Sequence, residues 1–276
     1  MHTHFRAAAP FAIEENRLGP LVNLAGTWIG KGFNLIALPD KENQRPFRVM
    51  LSSTIEVLSF ALIGGPIPNR GSAQGDIESF GLHYLQQVSD GETHAALHLE
   101  PGLWLNVPAT TAPEGPASIV RQSTIPHGNS VLAQGRGFNV DGGPVIDPVS
   151  SKPTRNDGQP FPLGYTDPYL NIRLPPGIQP GYVENPNAML KDAILDQRIV
   201  STTVIEVSTT SVGGILNIPF IQKNADLTKL DAVFWVETIE KSDGSKFLQL
   251  QYTQTVVLDF LGIAWPHISV ATLIKQ

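Results

Sequence analysis

The chain has no cysteine among its 276 residues. That absence excludes disulfides, zinc–thiolate sites, iron–sulfur clusters, cysteine nucleophiles and covalent haem attachment through Cys-x-x-Cys-His. Charge is also sparse. Only 16% of residues are Asp, Glu, Lys or Arg, and a formal net charge of −6 leaves no basic footprint, so neither nucleic acid nor an anionic membrane is expected as a partner. No apolar run reaches the roughly 18 residues of a membrane span. The start, Met1-His2-Thr3-His4-Phe5-Arg6, lacks the basic and long apolar regions of a secretory signal. A cytoplasmic location is therefore expected.

What the chain does have is 25 glycines, 23 prolines and a 41% hydrophobic content, which suits short strands joined by many turns around a sizeable core. Helical periodicity is scarce. Extended patterns recur at Leu24 to Leu38, Arg48 to Leu62, Gly81 to Val88, Ala95 to Val107, Ser118 to Ile125, Ser130 to Phe138, Ile199 to Ser208, Ala232 to Glu240, Phe247 to Phe260 and Ile268 to Ile274. Polar or Gly/Pro-marked turns such as Ser89-Asp90-Gly91 and Ser242-Asp243-Gly244-Ser245 separate them, so antiparallel neighbours follow. With few helices to cover a sheet, the strands are expected to close on themselves. The predicted fold is all-β: an antiparallel up-and-down β-barrel of about ten strands in one domain, residues 18–276, behind an N-terminal extension at 1–17.

Two stretches interrupt the pattern. Residues 139–198 form an insertion whose Pro162, Pro168, Pro175, Pro176 and Pro180 are spaced too tightly for strand or helix. It closes with a short helix after Asn185, a cap, and Pro186, at the first helical position. A segment of this length reads as a lid, a binding loop or an arm for homo-oligomer assembly. The second stretch, Ile63 to Gly71, has glycines that free the backbone and prolines that forbid sheet pairing, and is expected as a shaped loop at a barrel mouth.

Motifs for common chemistries are missing. There is no phosphate-cradling glycine loop, no His-Glu-x-x-His and no Gly-x-Ser-x-Gly. Histidines are the remaining candidates. His267 heads the last extended run, where 267, 269, 271 and 273 share a face and its nearest neighbours there, Ser269 and Ala271, are small. It could present a neutral imidazole to a flat metal macrocycle, or be hydrogen-bonded inside a barrel. His98 and Glu100 share a strand face, so the carboxylate could orient the imidazole or the pair could satisfy itself. His127 follows Pro126 in a tight turn, at a rim, and His83 sits in a strand. Trp28, Trp104, Trp235 and Trp265 could plug the barrel.

Four segments, taken in order, resemble the nitrobindin family of haem-binding β-barrels, which are lipocalin-like or fatty-acid-binding-protein-like in appearance. They are Gly26-Thr27-Trp28-Ile29-Gly30-Lys31-Gly32, Leu97-His98-Leu99-Glu100-Pro101-Gly102, the turn Pro126-His127-Gly128 with the strand after it, and His267 to Lys275. The match covers residues 18–138 and 199–276 and leaves the Pro-rich insertion unmatched. The resemblance implies a ten-stranded antiparallel barrel holding non-covalent haem b, with His267 as the iron ligand. Trp28, His127 and His83 are then candidate cofactor contacts, the last two on the distal side or at the rim. It further implies ferric haem chemistry on nitric oxide, peroxynitrite or peroxide, including a peroxynitrite isomerase or peroxidase-like activity. Two other readings stand beside it: a haem-free carrier of an apolar molecule such as a fatty acid or terpenoid, and a packed barrel whose Pro-rich arm makes it an assembly module.

Overall fold

A computed structural model describes residues 17–276; all but the last residue of the expected N-terminal extension, with His2 and His4, lie outside the described residues. Ten long strands follow one another in the sheet: β1 (Gly26–Asp40), β2 (Arg45–Leu62), β3 (Ile77–Asp90), β4 (Ala96–Val107), β5 (Ser118–Ile125), β6 (Asn129–Asp141), β7 (Arg198–Asn217), β8 (Asp226–Glu240), β9 (Lys246–Phe260) and β10 (Ile263–Lys275). Every neighbouring pair is antiparallel, and β1 also pairs with β10, from Trp28 opposite Lys275 to Leu35 opposite Ile268. The sheet is therefore a closed up-and-down barrel, as the strand-and-turn pattern predicts.

One end is sealed by its own chain. A 3₁₀ turn at Gly19–Leu24 buries Leu21 and Leu24 completely, and the Trp28 indole beneath it donates to the Leu24 carbonyl at 2.7 Å. The expected loop at Ile63 to Gly71 lies at this sealed end, because β2 finishes beside the start of β1, with Gly26 opposite Phe60. It also pairs where pairing was excluded. Ile67–Asn69 adds to β3 with Pro68 opposite Glu78, which proline tolerates in a short edge segment whose free side needs no donor.

The segment between β6 and β7 crosses the outside of the barrel to the opposite rim, where Thr154–Arg155 pairs with Ala264 and Ile263 of β10. Its prolines do not exclude helix. Pro168 and Pro180 open the turns α1 (Asp167–Leu170) and α2 (Pro180–Glu184), where a missing N–H costs nothing. The expected helix forms as α3 (Asn187–Ile194), but Asn185 does not cap it: its side-chain oxygen accepts from the Val149 amide at 3.1 Å instead. A further short helix, α4 (Pro219–Asn224), joins β7 to β8.

The excursion changes the burial of the strands under it. Tyr182 stacks on Phe33 with ring centroids 6.4 Å apart, and Phe33, Leu35, Ile268, Val270 and Trp235 are all buried on the outer wall. The face of β9 carrying Gln249, Gln251 and Thr253 is likewise covered; Gln251 donates to the Leu190 carbonyl of α3 and to Thr272, each at 2.9 Å. Of the four tryptophans, Trp28 and Trp104 fill the interior, whereas Trp235 and Trp265 pack beneath the excursion.

The middle of the barrel is apolar with a polar seam. Arg121 and Glu100, 1% and 0% exposed, form an ion pair at 2.6 Å. Arg121 also donates to the Tyr84 hydroxyl at 3.0 Å and to Gln254 at 2.6 Å, while Tyr84 donates to Glu100. Its guanidinium lies 5.5 Å from the Trp104 ring centre and 5.8 Å from that of Phe234. Beside it, Glu56 accepts from Tyr252 at 2.6 Å and from Thr54 at 2.9 Å, yet burial still holds its pKa above the usual carboxylate value. Burial alone would also raise the Glu100 pKa, but Arg121, His98 and Tyr84 together hold it well below the ordinary range. Arg121→Met should cost about 3–5 kcal/mol in urea unfolding, because it strands a buried carboxylate. Adding Glu100→Gln should recover part of that loss; costs that simply add would show that the two residues are not coupled.

Candidate functional site

The histidines gather at the end opposite the 3₁₀ turn. β1 and β10 part beyond Leu35 and Ile268, and His267 is the first residue of β10 past that last bonded pair. Alternation along β10 turns its side chain inward with Ser269, Ala271 and Leu273, as the sequence predicts. Ala271 and Leu273 belong to the interior core, whereas His267 and Ser269, nearer the rim, are half-buried. The Asn34 amide of β1 lies 2.8 Å from His267 Nε2 and 3.3 Å from the Ser269 hydroxyl. With the amide as donor, Nε2 carries the lone pair and Nδ1 the proton.

Two more imidazoles face it. β5 stands five places from β10 in a ten-stranded ring, so the turn after β5 and the start of β4 lie across the mouth from His267. His98 lies on the inward face of β4, half-buried, with Nε2 at 3.2 Å from Glu100, and its ring centre is 5.8 Å from that of His127. Glu100 thus reaches two ways: one oxygen meets Arg121 in the barrel centre and the other meets His98 at the mouth. Burial, followed by the nearby charges of His98 and His127, pushes the His267 pKa down to about 3. Burial and then His98 lower that of His127 as well. His267 is therefore a neutral base at any ordinary pH.

The other sequence candidates lie elsewhere. His83 is exposed, on the outward face of β3 opposite Ala61 and Leu103. Its position in the strand gives it the parity opposite to Leu82 and Tyr84, which point inside. Trp28 faces the interior but at the sealed end, beside Lys275, eight residues (275 − 267) along β10 from His267 and so about 26 Å away. Of the expected site residues, the fold brings His267 and His127 to one mouth and leaves His83 and Trp28 apart from them. Asn34 is the member that sequence reading did not single out. Its trace is a lone amide within the apolar run Phe33-Asn34-Leu35-Ile36-Ala37.

A metal held at this end would have one imidazole donor from the protein rather than a cluster of side chains. Among the described residues, no three His, Asp or Glu side chains converge as metal ligands. To such a metal His267 would offer the lone pair of a single neutral imidazole. The partly buried Ile215 and Leu227, packed on the barrel core, add apolar contact near the rim. One bond opposes the fit, since iron at Nε2 would displace the Asn34 amide.

No known family's profile matches the chain, and no curated protein matches it. Among solved structures, that of Rv2717c from M. tuberculosis aligns over 98% of this chain and 99% of its own, with 16% identity and a TM-score of 0.46. A likeness at that level lends the site no function, so its reading rests on geometry, which has a pH consequence. Unfolded histidine takes up a proton below about pH 6.5. Native His267 does so only near pH 3, so it makes the fold less stable as the pH falls between these values. In urea unfolding at pH 7, 5.5 and 4.5, the wild type should lose stability more steeply than His267→Gln. Parallel curves would place this imidazole in solvent.

Proposed function

We propose that the histidine end of the barrel binds haem b non-covalently, with His267 as the protein ligand to iron and His98 and His127 on the opposing wall. The observation that carries this reading is a neutral, half-buried imidazole turned into the mouth and faced by two others. When bound, the haem would supply an iron centre for small ligands such as nitric oxide, peroxynitrite or peroxide. The motif resemblance in β1, β4, the β5–β6 turn and β10 supports the same assignment.

The chain's own residues have separable tasks in this reading. Asn34 holds the His267 ring in register through Nε2 and must release it for iron. Glu100 orients His98, and because Arg121 and Tyr84 anchor Glu100 from below, that orientation is set by the barrel core. His127, in the turn, is the more exposed of the facing pair.

A carrier of long aliphatic chains has less support. Below the histidines, Arg121, Glu100, Tyr84, Tyr252 and Phe234 are buried against one another, and they occupy the space a fatty acyl tail would need.

Haemin titration followed by absorption tests the assignment. The wild type should give a Soret band that His267→Ala shifts and weakens, while Asn34→Ala, which frees Nε2, should bind haemin at least as tightly as the wild type. An unchanged band in His267→Ala would remove His267 from the role, and failure of the wild type to take up haemin would remove the proposal.

A further inference from the structure

Half of the barrel's outer wall is not reached by the excursion, which packs on β1, β8, β9, β10 and the start of β2. On the other half, β2 to β5 turn Leu58, Phe60, Leu82, Tyr84, Trp104 and Ile119 into the core. The alternate residues therefore face outward, from Ile55 to Ala61, Gly81 to Ser89, Leu97 to Leu105 and Val120 to Thr124. None of these outward positions is Asp, Glu, Lys or Arg. Protein surfaces commonly carry roughly 25–35% of such residues. The next wall follows that pattern, with Arg136 paired to Glu206 across β6 and β7 and Lys229 to Asp231 on β8.

The uncharged positions are contiguous. Ser59 stands opposite Leu85 and Leu85 opposite Pro101, and the row beside them runs Val57, Gln87, Leu99. Leu85 and Leu99 are 37% and 42% exposed, an extent of apolar surface that marks an interaction face when it is continuous. Four strands about 4.8 Å apart, each with four outward positions about 6.8 Å apart, give a wall of about 500 Å². Two such walls in contact would bury about 1,000 Å², the lower bound for a specific interface.

The chemistry of the wall selects the occupant. Each chain carries a net charge of −6, so two copies meet without opposing like charges only where charge is absent. The polar side chains on the wall, Ser59, His83, Gln87, Gln122 and Thr124, are all of types that both donate and accept hydrogen bonds when neutral. Such a face is complementary to its own image, as a two-fold interface requires, and offers a charged partner nothing to pair with.

We propose that a second copy of this chain packs on the outer wall of β2 to β5, face to face about a two-fold axis. The excursion, which covers the far side of the barrel, takes no part in this contact. The proposal is independent of haem binding.

Sedimentation velocity of the full-length protein between about 5 and 500 μM tests it. The wild type should pass from monomer to dimer within that range, as a small interface implies. Leu99→Glu, which sets two carboxylates into the contact, should weaken the dimer at least about tenfold. Phe138→Glu, on the outer face of β6, and Leu170→Glu, on the excursion, should leave it unchanged. A wild type still monomeric at about 500 μM would overturn the proposal. So would a dimer that survives in Leu99→Glu, or one lost in Leu170→Glu, which would place the interface on the excursion. Should Leu99→Glu fail to fold by circular dichroism, Leu85→Lys probes the same wall and is read in the same way.

Discussion

The ion pair between Arg121 and Glu100 is the contact on which both the barrel interior and its mouth depend. Two charges in a closed shell are tolerable only when each is bonded on several sides, and these are, through Tyr84, Gln254 and His98. The pair joins β4 to β5, reaches β3 through Tyr84 and crosses to β9 through Gln254. Its position beneath the mouth means that the ring of His98 is braced by the same carboxylate that neutralises the buried guanidinium. Structure and candidate site share one set of bonds.

The excursion adds a different constraint. In a barrel with a solvated exterior, strands alternate polar and apolar, but β1, β9 and β10 are covered on both faces. The outer cover consists largely of aromatic contacts, Tyr182 on Phe33 and Tyr165 on Phe47 with centroids 5.4 Å apart, and Phe47 in turn meets Trp265 at 4.4 Å. His267 lies between these layers, with the interior on one side of its strand and the packed cover on the other. The rigidity of that strand fixes the imidazole direction more firmly than a loop would.

The barrel was legible because its information is local. Alternation and Gly/Pro turns mark each strand, and the run Trp265 to Lys275 alone places His267 and Ser269 on one face. The insertion was harder to read, since a proline that ends one helix begins another, and only tertiary support distinguishes Pro168 and Pro180 as helix starts. Alternation makes Gln249, Gln251 and Thr253 a polar face; its cover comes from Leu190, some sixty positions away, which no periodicity encodes. Pairing of His98 with Glu100 could be read from their two-residue spacing. The Asn34 contact could not, because β1 and β10 meet only on closure. Neither could the remoteness of Trp28, whose inward face is correct and whose height in the barrel is set by the register with Lys275.

That register has a consequence for how the protein is made. Trp28 pairs with Lys275, so the first strand to leave the ribosome waits for the last, and until then two sheet edges stand open to other chains. Such long-range closure is slow, because the loop entropy must be overcome before the contacts that reward it exist. The imidazole at the mouth belongs to the strand that completes the ring. A molecule held there would engage only finished barrels and would draw nascent ones toward completion by mass action.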